Sequence, residues 1–358
     1  MEQNYQALLD IFCEILLREN ASDLHIASGR RAHVRIKTQL LPLEQYDALS
    51  AQDVYGLLSV LVSQSKLQAL INTGAEIDFS YDYQGKLRLR GNAYLRTGTI
   101  SIALRTIREV QSLDTLGLPA ILKTVIEKRQ GFFLVVGPVG QGKSTTLAAM
   151  IDAINAARSE HIVTIESPIE YTFTEKKSII DQREVGTDTA SFEAALTSAF
   201  REDINVVMIG EMRTKETIAT AVTAAETGHL VFSTLHTNDA AQTIDRIVDS
   251  FPSEQQRQIR AQLAGSLIGI LSQRLVPTMQ GTLVPVCEYM MASPAVQNLI
   301  REGKTYELPS VIETSREHGM IDMNQSLLDL VQSGKISMDD ARRYSVNVEA
   351  FDSRVGGR

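Results

Sequence analysis

Residues 132–157 read FFLVVGPVGQGKSTTLAAMIDAINAA, and their order decides the fold. Five consecutive apolar residues, 132–136, suit a strand buried on both faces. They run into Gly137-Pro138-Val139-Gly140-Gln141-Gly142-Lys143-Ser144, which fits G-x-x-x-x-G-K-[ST]. A helical pattern over 143–157 leaves the loop. Strand, glycine loop and helix in that order make a phosphate cradle. Glycine lets successive backbone N–H groups turn inward, and the helix N-terminus adds its positive end. Gly137, Gly140, Gln141, Gly142, Lys143, Ser144 and Thr145 are the expected nucleotide contacts. Lys143 is placed to reach the β- and γ-phosphates, and Ser144 to ligate Mg²⁺. The plain alternative is a glycine turn with a surface lysine. At ordinary glycine usage a chance match in a chain this long is about one in a hundred.

The same grammar continues downstream. Apolar runs at 161–165 (HIVTI), 204–209 (INVVMI) and 229–235 (HLVFSTL) alternate with helical stripes such as Phe192, Ala195, Leu196, Ala199 and Phe200. A second stripe, Ile218, Ala221, Val222 and Ala225, follows Thr214 as N-cap. Ser253-Glu254-Gln255-Gln256 after Pro252 has the capping-box pattern, and Ile259, Leu263 and Leu267 then repeat at four. Short helices are expected from about 292. This predicts an α/β domain on a parallel sheet. Two carboxylates end apolar runs, Glu166 after 161–165 and Glu211 after 204–209. The C-terminal ends of parallel strands are where such sheets bind ligands, so both are candidates to polarise a water. His229 and His236 bracket the last of the four runs. They read either as strand ends or as sensors of the γ-phosphate.

The first 105 residues follow another period. Tyr5, Leu8, Leu9, Phe12, Ile15 and Leu16 share one helical face. Residues 32–36, 76–83, 87–90 and 99–104 alternate apolar with polar, which predicts an antiparallel sheet with one wet face. Residues 106–119 break both periods and read as a linker or hinge. Length agrees: 358 residues at ~150 per domain make about two. The formal charge of −8 argues against nucleic acid as a partner. Two cysteines, Cys13 and Cys287, cannot make a disulfide framework or a four-thiolate zinc site. No run approaches the ~18 apolar residues of a membrane span, and the start does not read as a signal peptide.

Together these boxes carry a resemblance. GPVGQGKSTT (137–146), HIVTIESPIEY (161–171), REDINVVMIGEMR (201–213) and TAAETGHLVFSTLHTN (223–238) resemble the Walker A, acidic, Walker B and His boxes of type II/IV secretion ATPases. ASDLHI (21–26), DQREVG (181–186), AAQTIDRIVDSFP (240–252), SQRL (272–275) and AVQNLIREGK (295–304) extend the likeness over nearly the whole chain. The subfamily most similar is the PilT-like type IV pilus retraction (twitching motility) ATPases. The resemblance implies a PAS-like α+β domain (1–105), the linker, a RecA-like P-loop ATPase domain (120–290) and a C-terminal helical region (291–358). It implies ATP and Mg²⁺ as ligands. It also implies a homohexamer at the cytoplasmic face of the inner membrane, acting on the pilus through an inner-membrane platform protein. Carried over, Glu166 and Glu211 share water activation and the Mg²⁺ shell, and His229 and His236 form the His-box pair. Arg90 and Arg105 reach a neighbouring subunit's nucleotide; from alternation alone both belong to a wet sheet face.

The sequence departs from the family pattern in places. Ser167 replaces an acid in the acidic box, Ile204 and Asn205 replace a proline and an acid, Thr214 replaces an acid, and Gln297 replaces an arginine. Gly210 stands where many P-loop ATPases have an Asp before the Glu. The rival readings are a pilus-assembly or secretion ATPase of the same superfamily and a nucleotide-gated scaffold that barely hydrolyses. The first resembles longer chains with a C-x-x-C zinc element, which is absent here. The altered boxes keep the second open.

Overall fold

Alternation in the first third of the chain and unbroken apolar runs beyond it fold into two units, each with its own sheet. In this computed structural model, which describes residues 4–37 and 39–356, the first unit comprises 1–109 with 170–172. The second comprises 110–169 with 173–358.

The first unit opens with α1 (Tyr5–Arg18), capped by Asn4, which turns Leu9, Phe12, Ile15 and Leu16 inward. Strands β1 (Asp23–Ala27), β2 (His33–Ile36) and β3 (Gln39–Pro42) precede helices α2 (Ala51–Leu61) and α3 (Gln64–Thr73). Then come β4 (Ile77–Tyr83), β5 (Leu87–Arg96) and β6 (Thr99–Glu109). The spatial order is β3-β2-β1-β6-β5-β4, each neighbour antiparallel. Leu24, Ile26, Phe79, Leu89, Ile102 and Leu104 bury one sheet face in a common core with the helices. Neither α2 nor α3 is anticipated above. Ser50 and Asp53 make a full capping box at the start of α2, ahead of Val54, Leu57, Leu58 and Leu61. The expected linker at 106 begins inside β6, because pairing continues past it, with β5 as far as Ile107 and with residues 171–172 at 108–109.

The second unit holds α4 (Leu122–Ile126), β7 (Gly131–Val136), α5 (Lys143–Ala157) and β8 (His161–Glu166). Next, β9 (Tyr171–Thr172) pairs with the end of β6 and belongs to the first unit. The chain continues through β10 (Ile179–Glu184), α6 (Phe192–Ala199), β11 (Val206–Ile209), α7 (Lys215–Glu226) and β12 (Leu230–Leu235). It then forms α8 (Ala240–Asp249), α9 (Ser253–Ser266), β13 (Leu267–Pro277) and β14 (Leu283–Met291). The sheet runs β10-β8-β11-β12-β7-β13-β14, parallel except for β14. Alternate residues of one strand feed two cores. Phe132, Leu134 and Val136 pack with α6, α7 and α9 residues, and Phe133 and Val135 with those of α4 and α5. This is why the strand shows no period of two.

Two expectations fail here. Ser253 is the first residue of α9, not its cap: Pro252 holds that position and no side chain caps the helix. Leu267 leaves the helical stripe and starts β13. Beyond β14, α10 (Pro294–Glu302) and α11 (Leu308–Thr314) extend the first of the two cores. Helices α12 (Met323–Gln332), α13 (Met338–Tyr344) and α14 (Val348–Gly356) pack Leu327, Ala341 and Phe351 onto Val276, Val284 and Val286 of the β13–β14 hairpin. Among the described residues no helix is long and apolar enough to cross a membrane.

Candidate active site

The glycine loop joins β7 to α5 at the C-terminal edge of the parallel strands. Gly142 is the N-cap of α5 in the left-handed region at φ 78°, and it has no side chain to cap the helix. The first turn of α5 is thus left to an external acceptor, such as a phosphate. Gly137 has no room for a side chain. A Cβ there would lie 2.3 Å from the backbone oxygen of Gln273. Lys143 is 93% buried, and its Nζ donates to the Gly137 and Pro138 carbonyls at 2.7 and 2.8 Å. Its ammonium therefore sits inside the curve of the loop.

A line of charged groups leaves Lys143. Its Nζ lies 3.3 Å from His236 Nδ1, and His236 Nε2 points at a Glu211 oxygen 3.7 Å away. Glu211 in turn accepts from Arg213 Nε at 2.8 Å. Burial, followed by the Lys143 charge, pushes the His236 imidazole below its usual range, against the opposing pull of Glu211. His236 is therefore neutral at pH 7. Lys143 supplies the proton at Nδ1, so the ring's own hydrogen is on Nε2, facing Glu211.

Glu166 ends β8 on the neighbouring strand. It is 6% exposed and accepts from Thr164 Oγ1 at 2.8 Å and Gln182 Nε2 at 3.3 Å. Gly210 lies between the two acids. A Cβ at 210 would meet the Ile165 oxygen at 3.4 Å and Glu166 Cα at 3.5 Å. An Asp there would press a carboxylate toward Glu166, so this sheet edge favours glycine. The oxygen donors suit Mg²⁺ held chiefly by phosphate and water: the Ser144 hydroxyl is half-buried at the start of α5, and both acids are close to the same edge. Among the described residues no three His, Cys, Asp or Glu side chains cluster as a protein-only metal cage.

The structure brings His236 to the loop but not His229. The two histidines flank the six residues of β12, seven steps apart, so at ~3.3 Å per residue about 23 Å separates them. His229 sits at the opposite sheet edge, with Nδ1 3.0 Å from the Ala224 oxygen and its ring on Phe200. Arg90 and Arg105 belong to the first unit and are direct partners across β5 and β6. Asp23 is the partner of Arg105 on β1, and Arg35 is the partner of Asp23 on β2. Arg105 Nε binds Asp23 at 2.8 Å while its side chain stays 68% exposed. Burial alone would raise the Asp23 carboxyl. Hydrogen bonds from Ser22 and Arg105, with the Arg105 charge, hold it below the usual range.

Gln273 and Arg213 were not singled out from the sequence as site residues. Gln273 is a buried amide in the polar interruption Ser272-Gln273-Arg274 of an apolar strand, GILSQRLV, and the interruption alone does not say what the amide holds.

The family described as type II/IV secretion system protein matches residues 2–340. The type IV pilus retraction ATPase PilT of Pseudomonas aeruginosa is 41% identical over 340 residues, 93% of this chain and 97% of that one. The twitching motility protein of Neisseria gonorrhoeae is 45% identical over 305 residues, 85% of this chain and 81% of that protein. A crystal structure described as the pilus retraction motor PilT with bound ADP matches with a TM-score of 0.90 at 42% identity. It covers 96% of this chain and 98% of that one, so the likeness spans both units.

Proposed function

The chain belongs to the type II/IV secretion system protein family, and on that premise we propose that it hydrolyses ATP to drive type IV pilus retraction. It does so as a homohexameric ring at the cytoplasmic face of the inner membrane, acting on the pilus through an inner-membrane platform protein. The observation that carries this reading is the line Lys143–His236–Glu211 at the glycine loop.

Backbone N–H groups of the loop and first turn of α5 bind the β- and γ-phosphates, and Lys143 exchanges two loop carbonyls for phosphate oxygens. When bound, Mg²⁺ would supply charge neutralisation at the phosphates, and the Ser144 hydroxyl would help hold it. Glu211 orients the attacking water and accepts its proton. Arg213, 76% exposed, has room to swing away from that carboxylate. Neutral His236 links phosphate occupancy at Lys143 to the position of Glu211. Glu166, fixed by Thr164 and Gln182, orders the water shell of the metal. Arg90 and Arg105 reach a neighbouring subunit's phosphates, stabilising transition-state charge only in the assembled ring.

The test is made in the piliated host. Removing the chain leaves filaments extended and unable to shorten, and Lys143→Ala behaves like removal. Loss of filaments altogether would assign the chain to extension. Unaltered retraction would remove it from the pilus.

A further inference from the structure

Gln141 belongs to the glycine loop, yet its side chain turns away from it. Gln141 Oε1 accepts the backbone N–H of Leu275 on β13 at 2.7 Å. Its own carbonyl accepts Gln273 Nε2, also at 2.7 Å. The other end of the Gln273 amide accepts the Thr146 hydroxyl at 2.7 Å, from the first turn of α5. Gln273 is 2% exposed and Thr146 1%. The same residue packs against two loop glycines. Its backbone oxygen fills the space at Gly137, and its Nε2 stands 2.9 Å from where a Gly142 Cβ would be.

We infer that Gln273, with Gln141 as its counterpart, is a positioning residue that straps the nucleotide loop to β13 and sets its curvature before nucleotide arrives. The chemistry explains why an amide occupies the site. One side must donate to a carbonyl and the other must accept from a hydroxyl, and only Asn, Gln or a neutral His supplies both from one planar group. Asn is one methylene short of the same span. Glu would set a carboxylate oxygen against the Gln141 carbonyl. Leu would leave both partners buried and unpaired.

The strap rests on the reading of the loop as a nucleotide site, and it makes a distinct demand. Without it the loop must be ordered by the ligand, a cost falling on binding and not on the bound complex, where the phosphates hold the loop themselves. Gln273→Leu should therefore raise the Kd for a fluorescent ADP analogue about tenfold, the cost of ordering roughly one residue of backbone. At saturating ATP, kcat should stay within about twofold of the parent, because the loss is of uniform binding.

Gln273→Leu alters a buried position, so the hydroxyl partner provides a milder pair. Thr146→Val should weaken ADP binding several-fold and Thr146→Ser should restore it, since serine keeps the oxygen. Gln141→Ala, at a half-buried loop position, should also weaken binding with the melting temperature nearly unchanged. Parental Kd in Gln273→Leu and Thr146→Val, with only a lowered melting temperature, would reduce the strap to a structural contact and overturn the inference. A fall in kcat at unchanged KM would overturn it too, by moving Gln273 into the chemical step. A parent chain that bound no ADP would defeat the reading of the loop itself, and the strap with it.

Discussion

Replacing Glu211 by Gln separates chemistry from architecture, because the structure assigns very different magnitudes to each. The side chain is 16% exposed, with Arg213 Nε at 2.8 Å and His236 Nε2 at 3.7 Å. Glutamine keeps an oxygen for Arg213 and loses only the charge. The stability loss is therefore that of one partly solvated ion pair, about 1 kcal/mol. In a unit of this size that lowers the melting temperature by roughly 2–4 °C. Nucleotide binding is expected to survive within about fivefold, since the glycine loop and Lys143 are untouched and 1 kcal/mol is roughly fivefold. Turnover is another matter. Removing a general base costs about 10²–10⁴ in rate, or roughly 3–5 kcal/mol of activation free energy. Phosphate release under saturating ATP, fluorescent-nucleotide titration and a thermal melt read the three quantities on one preparation. A variant hydrolysing within a factor of about three of the parent would refute the base assignment, because no solvated ion pair hides a loss of that size.

Three further outcomes follow from particular contacts. Gly137→Ala places a Cβ 2.3 Å from the Gln273 oxygen at φ 148°, so titration should show nucleotide binding lost while the far-UV spectrum is kept. Burial pushes Glu288 up to about 7, against hydrogen bonds from Ala240 N–H and Ser272. The native state then holds a proton that the unfolded chain releases near the ordinary glutamate value of 4.5, so stability should fall as pH rises from there to about 7 and then level off. The fall is at most about 3 kcal/mol, and denaturant titrations of Glu288→Gln should show that slope flattened. Lys143→Ala and Arg105→Ala chains, each expected to be inactive, should recover part of the hydrolysis when mixed, because some interfaces then pair an intact loop with an intact arginine. No recovery in mixed assemblies would remove the trans role of Arg105.

Legibility in the sequence followed burial. β7, β8, β11 and β12 lie inside the sheet with helices on both sides, so their apolar runs are continuous and easily read. β13 and β14, the latter at one edge of the sheet, are largely buried but carry Ser272, Gln273, Arg274 and Glu288, which break the run. Those polar residues are there for other elements: Glu288 accepts the first N–H of α8, and Gln273 holds the glycine loop. β10 is an edge strand, half exposed, and IIDQRE has neither strand signature. For the site, Lys143, Glu166, Glu211 and His236 were legible because each stands at the end of a readable strand or loop. Sequence proximity groups His229 with His236, but a strand has two ends and they face opposite edges of the sheet. Gln273 was out of reach because its partners, Gln141 and Thr146, lie more than a hundred residues upstream.

Steady-state phosphate release by the purified chain, measured per mole across a range of protein concentrations beside Lys143→Ala, is the deciding measurement. An ATP-driven ring predicts release that depends on Lys143 and rises per mole as subunits assemble. Release no greater than that of Lys143→Ala at every concentration would contradict it.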